Sequence, residues 1–163
     1  MAAQERPEVR EAHAGDVEAI VALAEERRAA YRPHAPGFWD PAPDARDRHR
    51  ARVARLAADP RALVLAARRG PRLSGCLMAV LGPSAEVYAP GGPLAYVEDF
   101  WVADPGDWWG SGAALIEAAR PRLAALGAVR MVVESGGHDA AKRAFLWRSG
   151  LSLAAEWYHA PLR

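Results

Sequence analysis

Apolar residues recur along this chain with two periods, and the switches between them mark out elements. Glu8–Ala12 alternates as a short strand does and ends at Gly15-Asp16. Asp16 is placed to cap a helix in which Val17, Ile20, Val21 and Ala24 return at helical spacing, and Arg27-Arg28 close it where positive charge is favoured. Four prolines around Gly37 make 32–43 a loop. A second helix is predicted over Ala45–Ala58, stopped by Asp59-Pro60, with a solvated face of Arg46, Arg50 and Arg55. Ala62–Ala67 and Leu73–Leu81 read as hairpin strands turned at Arg69-Gly70-Pro71, and Gly82–Pro93 as a further loop.

Beyond that loop strands alternate with helices. Tyr96–Val102 is a strand and Gly110–Leu126 a helix that Pro121 should kink or end in its first part. Strand Val129–Glu134, helix Asp139–Ser149 and a last strand near Leu153–Ala160 follow. Hairpins followed by this alternation predict a mixed α/β layer with one central sheet. Residues 1–163 are expected to form a single domain.

Composition narrows the partners. A net charge of +1 gives no reason to expect nucleic acid or an anionic membrane as a partner. The chain lacks an apolar run of the ~18–20 residues that span a bilayer, and its start lacks a signal-peptide core. One cysteine, Cys76, forbids an internal disulfide, and its apolar strand marks it as core. A soluble, cytoplasmic protein is expected. Lys142 is the only lysine, and the Ala/Arg-rich remainder suggests a GC-rich bacterial genome. His13, His34, His49, His138 and His159 lack metal-ligand spacing, so no metal is expected.

The candidate chemistry lies in YVEDFWVADPGDWWGSGAAL, residues 96–115. A strand runs through a Pro/Gly loop into a helix opened by Gly110-Ser111-Gly112, where free backbone N–H groups and the helix dipole can hold an anion. The glycines are expected to let the backbone approach a phosphate. A dinucleotide fingerprint fails because Leu115 replaces its third glycine and seven residues separate Val102 from Gly110, although Glu134 stands about where a ribose acid would. A P-loop fails because no Gly-Lys-Ser/Thr follows.

The segment resembles motif A of the GNAT superfamily of acyl-CoA-dependent N-acetyltransferases, through Val102, Asp104-Pro105, Gly110, Gly112 and Leu115-Ile116. Its strand is most similar to the polyamine (diamine) acetyltransferase branch. The likeness continues to Gly150-Leu151, which resembles the family's closing Gly-Phe. Two residues depart from the pattern: Asp107 replaces the usual Arg or Gln, and Leu146 a frequent Tyr. The resemblance implies a single α/β domain with a central, mostly antiparallel twisted sheet flanked by helices, acetyl-CoA as co-substrate and a small-molecule primary amine as acceptor, attacking directly. It is compatible with a homodimer. A catalytically degenerate acyl-CoA-binding sensor or structural subunit is the alternative that the two departures feed.

Transfer to an amine requires removing a proton from a group of pKa ~10.4, donors for the oxyanion, and an outlet for a thiolate of pKa ~8.5. Glu98 and Asp99 lie side by side in an apolar strand, an expensive arrangement, and point to opposite faces unless the strand is bulged. Either one of them serves the site, or one pairs with an arginine and the other is solvated; the resemblance favours Glu98 as base and Asp99 as a cation contact. Leu146 cannot donate a proton, so either Tyr158 or Tyr96 substitutes or the thiolate leaves unassisted. Cofactor binding is expected from Phe100, Trp101, Val102, Asp107, Trp108, Trp109, Gly110, Ser111, Gly112 and Ala113.

Asp107 would repel a pyrophosphate by roughly 1 kcal/mol in water unless it caps the helix and points away. Trp108-Trp109 either line the groove, cover the adenine or pack as exposed aromatics. The resemblance also places Asp139 and Lys142 among the cofactor-binding candidates, with helix capping the other duty expected of Asp139. Lys142 is expected as a solvated charge, within reach of a CoA phosphate. Phe38, Trp39 and Asp40 either meet a cationic acceptor or anchor their loop.

Overall fold

The computed structural model describes residues 6–162. Strands β1 (Glu8–Glu11), β2 (Ala62–Arg69), β3 (Arg72–Gly82), β4 (Leu94–Val102) and β5 (Arg130–Val133) lie in chain order in one sheet. The first three pairings are antiparallel and β4–β5 is parallel. A parallel pair needs a crossover, which α3 (Ser111–Ala125) supplies. The other helices are α1 (Val17–Ala29), α2 (Ala45–Ala57) and α4 (Ala140–Arg148). The expected mixed α/β architecture is the one observed.

Both faces of the sheet are covered, which is why β2 and β3 read as continuous apolar runs. On one face Leu65, Leu77, Val97 and Phe100 pack with Leu115, Ile116 and Leu123 of α3 and Phe145 of α4. On the other, Val64, Cys76, Met78 and Trp101 pack with Ile20 and Val21 of α1 and Val53 and Leu56 of α2.

Several local expectations are corrected. Asp16 does not cap α1 with its side chain. Fully buried, it accepts the His13 N–H at 3.0 Å, a fork from Arg10 at 2.7 and 3.0 Å, and Arg68 at 2.7 Å. A buried carboxylate is tolerable only when paired in this way. The arginine face of α2 is solvated as expected, and carries surface ion pairs of Arg46 with Glu25 and of Arg50 with Glu18 and Asp47. Pro121 does not end α3, which runs on to Ala125. The buried stripe Leu115, Ala119 and Leu123 carries the helix past it, while Pro121 itself faces solvent.

The last expected strand is absent. Residues 153–160 form no strand, and Leu153, Trp157 and Tyr158 are 64%, 78% and 88% exposed. A strand exists only with a ladder partner, and β5 offers an edge of just four residues. Among the described residues, no helix is long and apolar enough to cross a membrane.

Candidate active site

Three backbone features build the site. The first is a bulge in β4. Met78 of β3 faces Asp99, but the next residue, Ala79, faces Val97, so Glu98 is the extra residue. The bulge cancels the strand's alternation at this point. Val97 and Phe100 both face α3, while Glu98 and Asp99 both reach the helices on the opposite face. The two adjacent acids therefore share one side of the sheet.

The second feature is a splay. β5 accompanies β4 only from Leu94 to Val97, the last link being Glu134 N–H to Val97 C=O at 3.3 Å. From Glu98 to Val102, β4 has no strand partner on that edge among the described residues. The third is the start of α3 just beyond β4. The N–H groups of Ser111, Gly112 and Ala113 have no carbonyl four residues back within the helix, and the dipole's positive end lies among them.

Asp99 is fully buried and accepts Arg28 Nη2 at 2.5 Å, His49 Nε2 at 2.7 Å and Trp101 Nε1 at 2.9 Å. Burial alone would raise its pKa, but His49, Arg28 and the indole outweigh it and hold the carboxyl down at about 2. The cation that Asp99 contacts is thus the protein's own. His49 Nδ1 is buried without a hydrogen-bond partner. Glu98 is the open acid, about a third exposed, and accepts Arg52 Nε at 3.0 Å.

Asp107 is buried and neither caps α3 through the backbone nor stands as an uncompensated charge. Arg69 forks onto it at 2.9 and 3.0 Å, and the Ser111 hydroxyl donates to it at 2.6 Å. Gly110 is needed for that pair, since a Cβ there would lie 2.2 Å from Asp107 Oδ1 and 2.6 Å from Arg69 Nη2. Gly112 is needed for packing, because its Cβ would meet Trp108 Cε3 at 2.8 Å. Both glycines thus make room for side chains of the protein itself. Trp108 is core, set against Phe100 and Phe145 with centroids 5.1 and 5.5 Å away. Trp109 is 55% exposed beneath the Arg148 guanidinium.

The largest correction concerns Lys142. It is 1% exposed rather than solvated, with Nζ 4.5 Å from the Trp101 ring centroid. Asp139 caps α4 as expected, accepting the Lys142 N–H at 3.1 Å, and also accepts the Tyr31 hydroxyl at 2.8 Å. Burial and then Asp139 raise the Tyr31 phenol well above its usual range. Tyr158 donates to Glu156 on the exposed C-terminal segment, and Tyr96 is tied to the Pro83 carbonyl at the other end of β4.

At the opposite wall, Phe38, Trp39, Tyr31 and Trp101 form a chain of edge-on rings with centroids 4.7, 5.7 and 5.4 Å apart. Asp40 is paired with Arg32 at 2.7 Å. Trp39 therefore anchors its loop onto Tyr31 whatever else it touches.

Sequence reasoning missed Arg28, Tyr31, His49 and Arg69. Two of them were detectable. Arg28 continues the buried stripe of Val21 and Ala24, and His49 that of Val53 and Leu56, so each is a polar residue on a core face. Among the described residues, no group of three or more His, Cys, Asp or Glu is arranged to hold a metal.

Solved structures share this architecture. The tetramutant of the BH1408 protein from Bacillus halodurans matches with TM-score 0.77 and 14% identity, over 95% of this chain and 99% of that one. Solved acetyltransferases share the fold as well. AAC(6')-Iy, in complex with the bisubstrate analog CoA-S-monomethyl-acetylneamine, matches with TM-score 0.68 and 15% identity over 98% and 99%. The ribosomal-protein-alanine N-acetyltransferase of Brucella melitensis biovar Abortus 2308 matches with TM-score 0.61 and 18% identity over 96% and 99%. No protein-family model matches the chain, and no curated protein matches it in sequence. At these identities the likeness establishes the fold.

Proposed function

We propose that this protein transfers an acetyl group from acetyl-CoA to a primary amine of a small molecule by direct attack. The observation that carries the reading is the bulge at Glu98, which turns both acids to one face just where β4 parts from β5. The GNAT fold of the neighbours, one bound to a CoA conjugate, supports the donor.

The residues present suit such a ligand. The N–H groups at the start of α3 can hold a pyrophosphate, and Arg69 offsets the Asp107 charge that would oppose it. The free edge of β4 offers backbone groups to an amide-bearing arm. Acetyl-CoA would supply the activated acyl group, and the chain's own groups would do the rest. Glu98, as the accessible carboxylate, takes the amine's proton directly or through a water. Asp99 fixes Arg28 and His49 behind it and is a positioning residue. An acyl-enzyme is disfavoured because the sole thiol, Cys76, is 1% exposed, with its pKa raised by burial and by Asp99.

The acceptor is a small, cationic amine in this reading, resting on the resemblance of 96–102 to the polyamine branch and on the aromatic wall of Phe38 and Trp39. The test combines thiol release from acetyl-CoA against an amine panel with melting-temperature shifts in acetyl-CoA, NAD and ATP. Transfer with a shift in acetyl-CoA alone is the expected result. A shift without transfer to any amine would instead identify a sensor, and a shift in NAD or ATP would discard the reading.

A further inference from the structure

Twenty-one residues of this chain are Lys or Arg, and the single lysine among them is the one buried in the site. Lys142 Nζ lies among three rings, 4.5 Å from the centroid of Trp101, 5.7 Å from Trp108 and 5.8 Å from Phe100. Two of these belong to the stretch of β4 that pairs with β3 but that β5 leaves uncovered, and the third to the turn that leads into α3. The ammonium therefore sits between the open strand edge and the anion-holding helix terminus, and among the described residues it makes no hydrogen bond. Residue 142 is also one helical turn before Leu146 on the same face of α4.

Resting on the acyl-transfer reading above, we propose that Lys142 is the general acid of this site, protonating the thiolate sulfur as the acetyl group departs. Leu146, one turn further along α4, has no proton to give. In the step the acceptor nitrogen forms the new C–N bond and the thioester C–S bond breaks. The amine's proton goes to Glu98 and the sulfur receives one from Lys142. Glu98 then releases its proton to water and Lys142 takes one from water, so amine plus thioester become amide plus thiol.

The surroundings fit a proton that can be given and regained. Desolvation lowers the Lys142 pKa to about 8, against the opposing pull of Asp139 at the start of α4, Asp99 on β4, Glu134 after β5 and Cys76 on β3. Arg28 on α1 is bonded to Asp99, and Tyr31 donates to Asp139, which tempers both carboxylates. A value near 8 is close to the ~8.5 of a free thiol, as proton exchange between them requires. Arginine, used everywhere else in this chain, could not release a proton. The competing phenols are unsuited, since Tyr31 is held protonated, Tyr96 is tied to Pro83 and Tyr158 is solvated.

The decisive experiment titrates CoA bound to wild type, Lys142→Met and Lys142→Arg, following the ultraviolet absorbance of the thiolate. Amine transfer is measured in parallel. Bound CoA should lose its thiol proton at least one pH unit below free CoA in the wild type and in Lys142→Arg, but not in Lys142→Met. Transfer should fall roughly 100-fold in both variants, at the low end for a lost general acid. The wild-type rate should decline above about pH 8 with a limb that Lys142→Met lacks. Melting of each variant confirms that it is folded, and Lys142→Arg stands in if the methionine variant is not. A bound thiol with the same pKa in wild type and Lys142→Met, or transfer undiminished in Lys142→Arg, overturns the proposal alone. CoA that fails to bind the wild type overturns the acyl-CoA reading and this inference with it.

Discussion

Glu98 and Asp99 are adjacent residues with opposite duties, and substitution should separate them. Glu98→Gln keeps the shape and removes the base, so turnover should fall about 100-fold or more while CoA still raises the melting temperature. The loss should shrink at high pH, where free amine is abundant; an unchanged pH–rate profile would make Glu98 structural. Asp99, with Asp16, governs acid stability instead. Both carboxyls lie below their ordinary 3.8 when folded, despite burial, because arginine and histidine partners outweigh it. Their contribution is therefore complete above about pH 4 and is lost as pH falls toward 2, as protons bind the unfolded chain first. Asp99 alone accounts for about 2 kcal/mol of that loss. Unfolding followed from pH 6 to pH 2 should show the decline, and Asp99→Asn should flatten it. Gly112→Ala should cost about 1–3 kcal/mol by pressing on Trp108, read as a lower denaturant midpoint with or without ligand. No loss would mean that the ring gives way freely.

At the scale of elements, the strands and helices were legible because apolar spacing records which face is buried, and α2, β2, β3 and α3 lie within a few residues of expectation. The bulge was not legible, since it depends on how β3 and β4 register, which a single strand's sequence does not encode. The same blindness hid the pairing of Asp107 with Arg69 of β2 and of Asp99 with Arg28 and His49, although the last two stand out in the sequence as polar residues on core faces. Lys142 was misread because lysine is usually solvated, and only its position beneath three rings reveals otherwise. The strand expected over 153–160 failed because alternation signals a strand only when an edge is available to receive it. The loop 32–43 can be tested as an element. Trp39→Ala removes an aromatic contact with Tyr31 and should destabilise by about 1–3 kcal/mol. If Asp40→Asn, combined with it, raises the amine KM beyond what the melting change explains, the loop also meets substrate.

On the scale of the whole molecule, stability is concentrated in the two layers against the sheet, and the final residues lie outside them. Leu151 still packs on the core, whereas Leu153, Trp157, Tyr158 and Leu162 do not. Ending the chain after Ser152 should therefore leave the melting temperature within about 4 °C of the full chain, a change of under 1 kcal/mol or so. A larger drop would show that the exposed aromatic residues pack in solution, beyond the Phe38–His159 contact. The sealed interior of the sheet has a practical corollary. With its only sulfhydryl enclosed in β3 and held protonated, the native protein presents nothing for a disulfide dye to react with. Colour developing in such an assay would thus report the product's sulfur alone, and a slow rise in an enzyme-only blank would serve as a clock for unfolding.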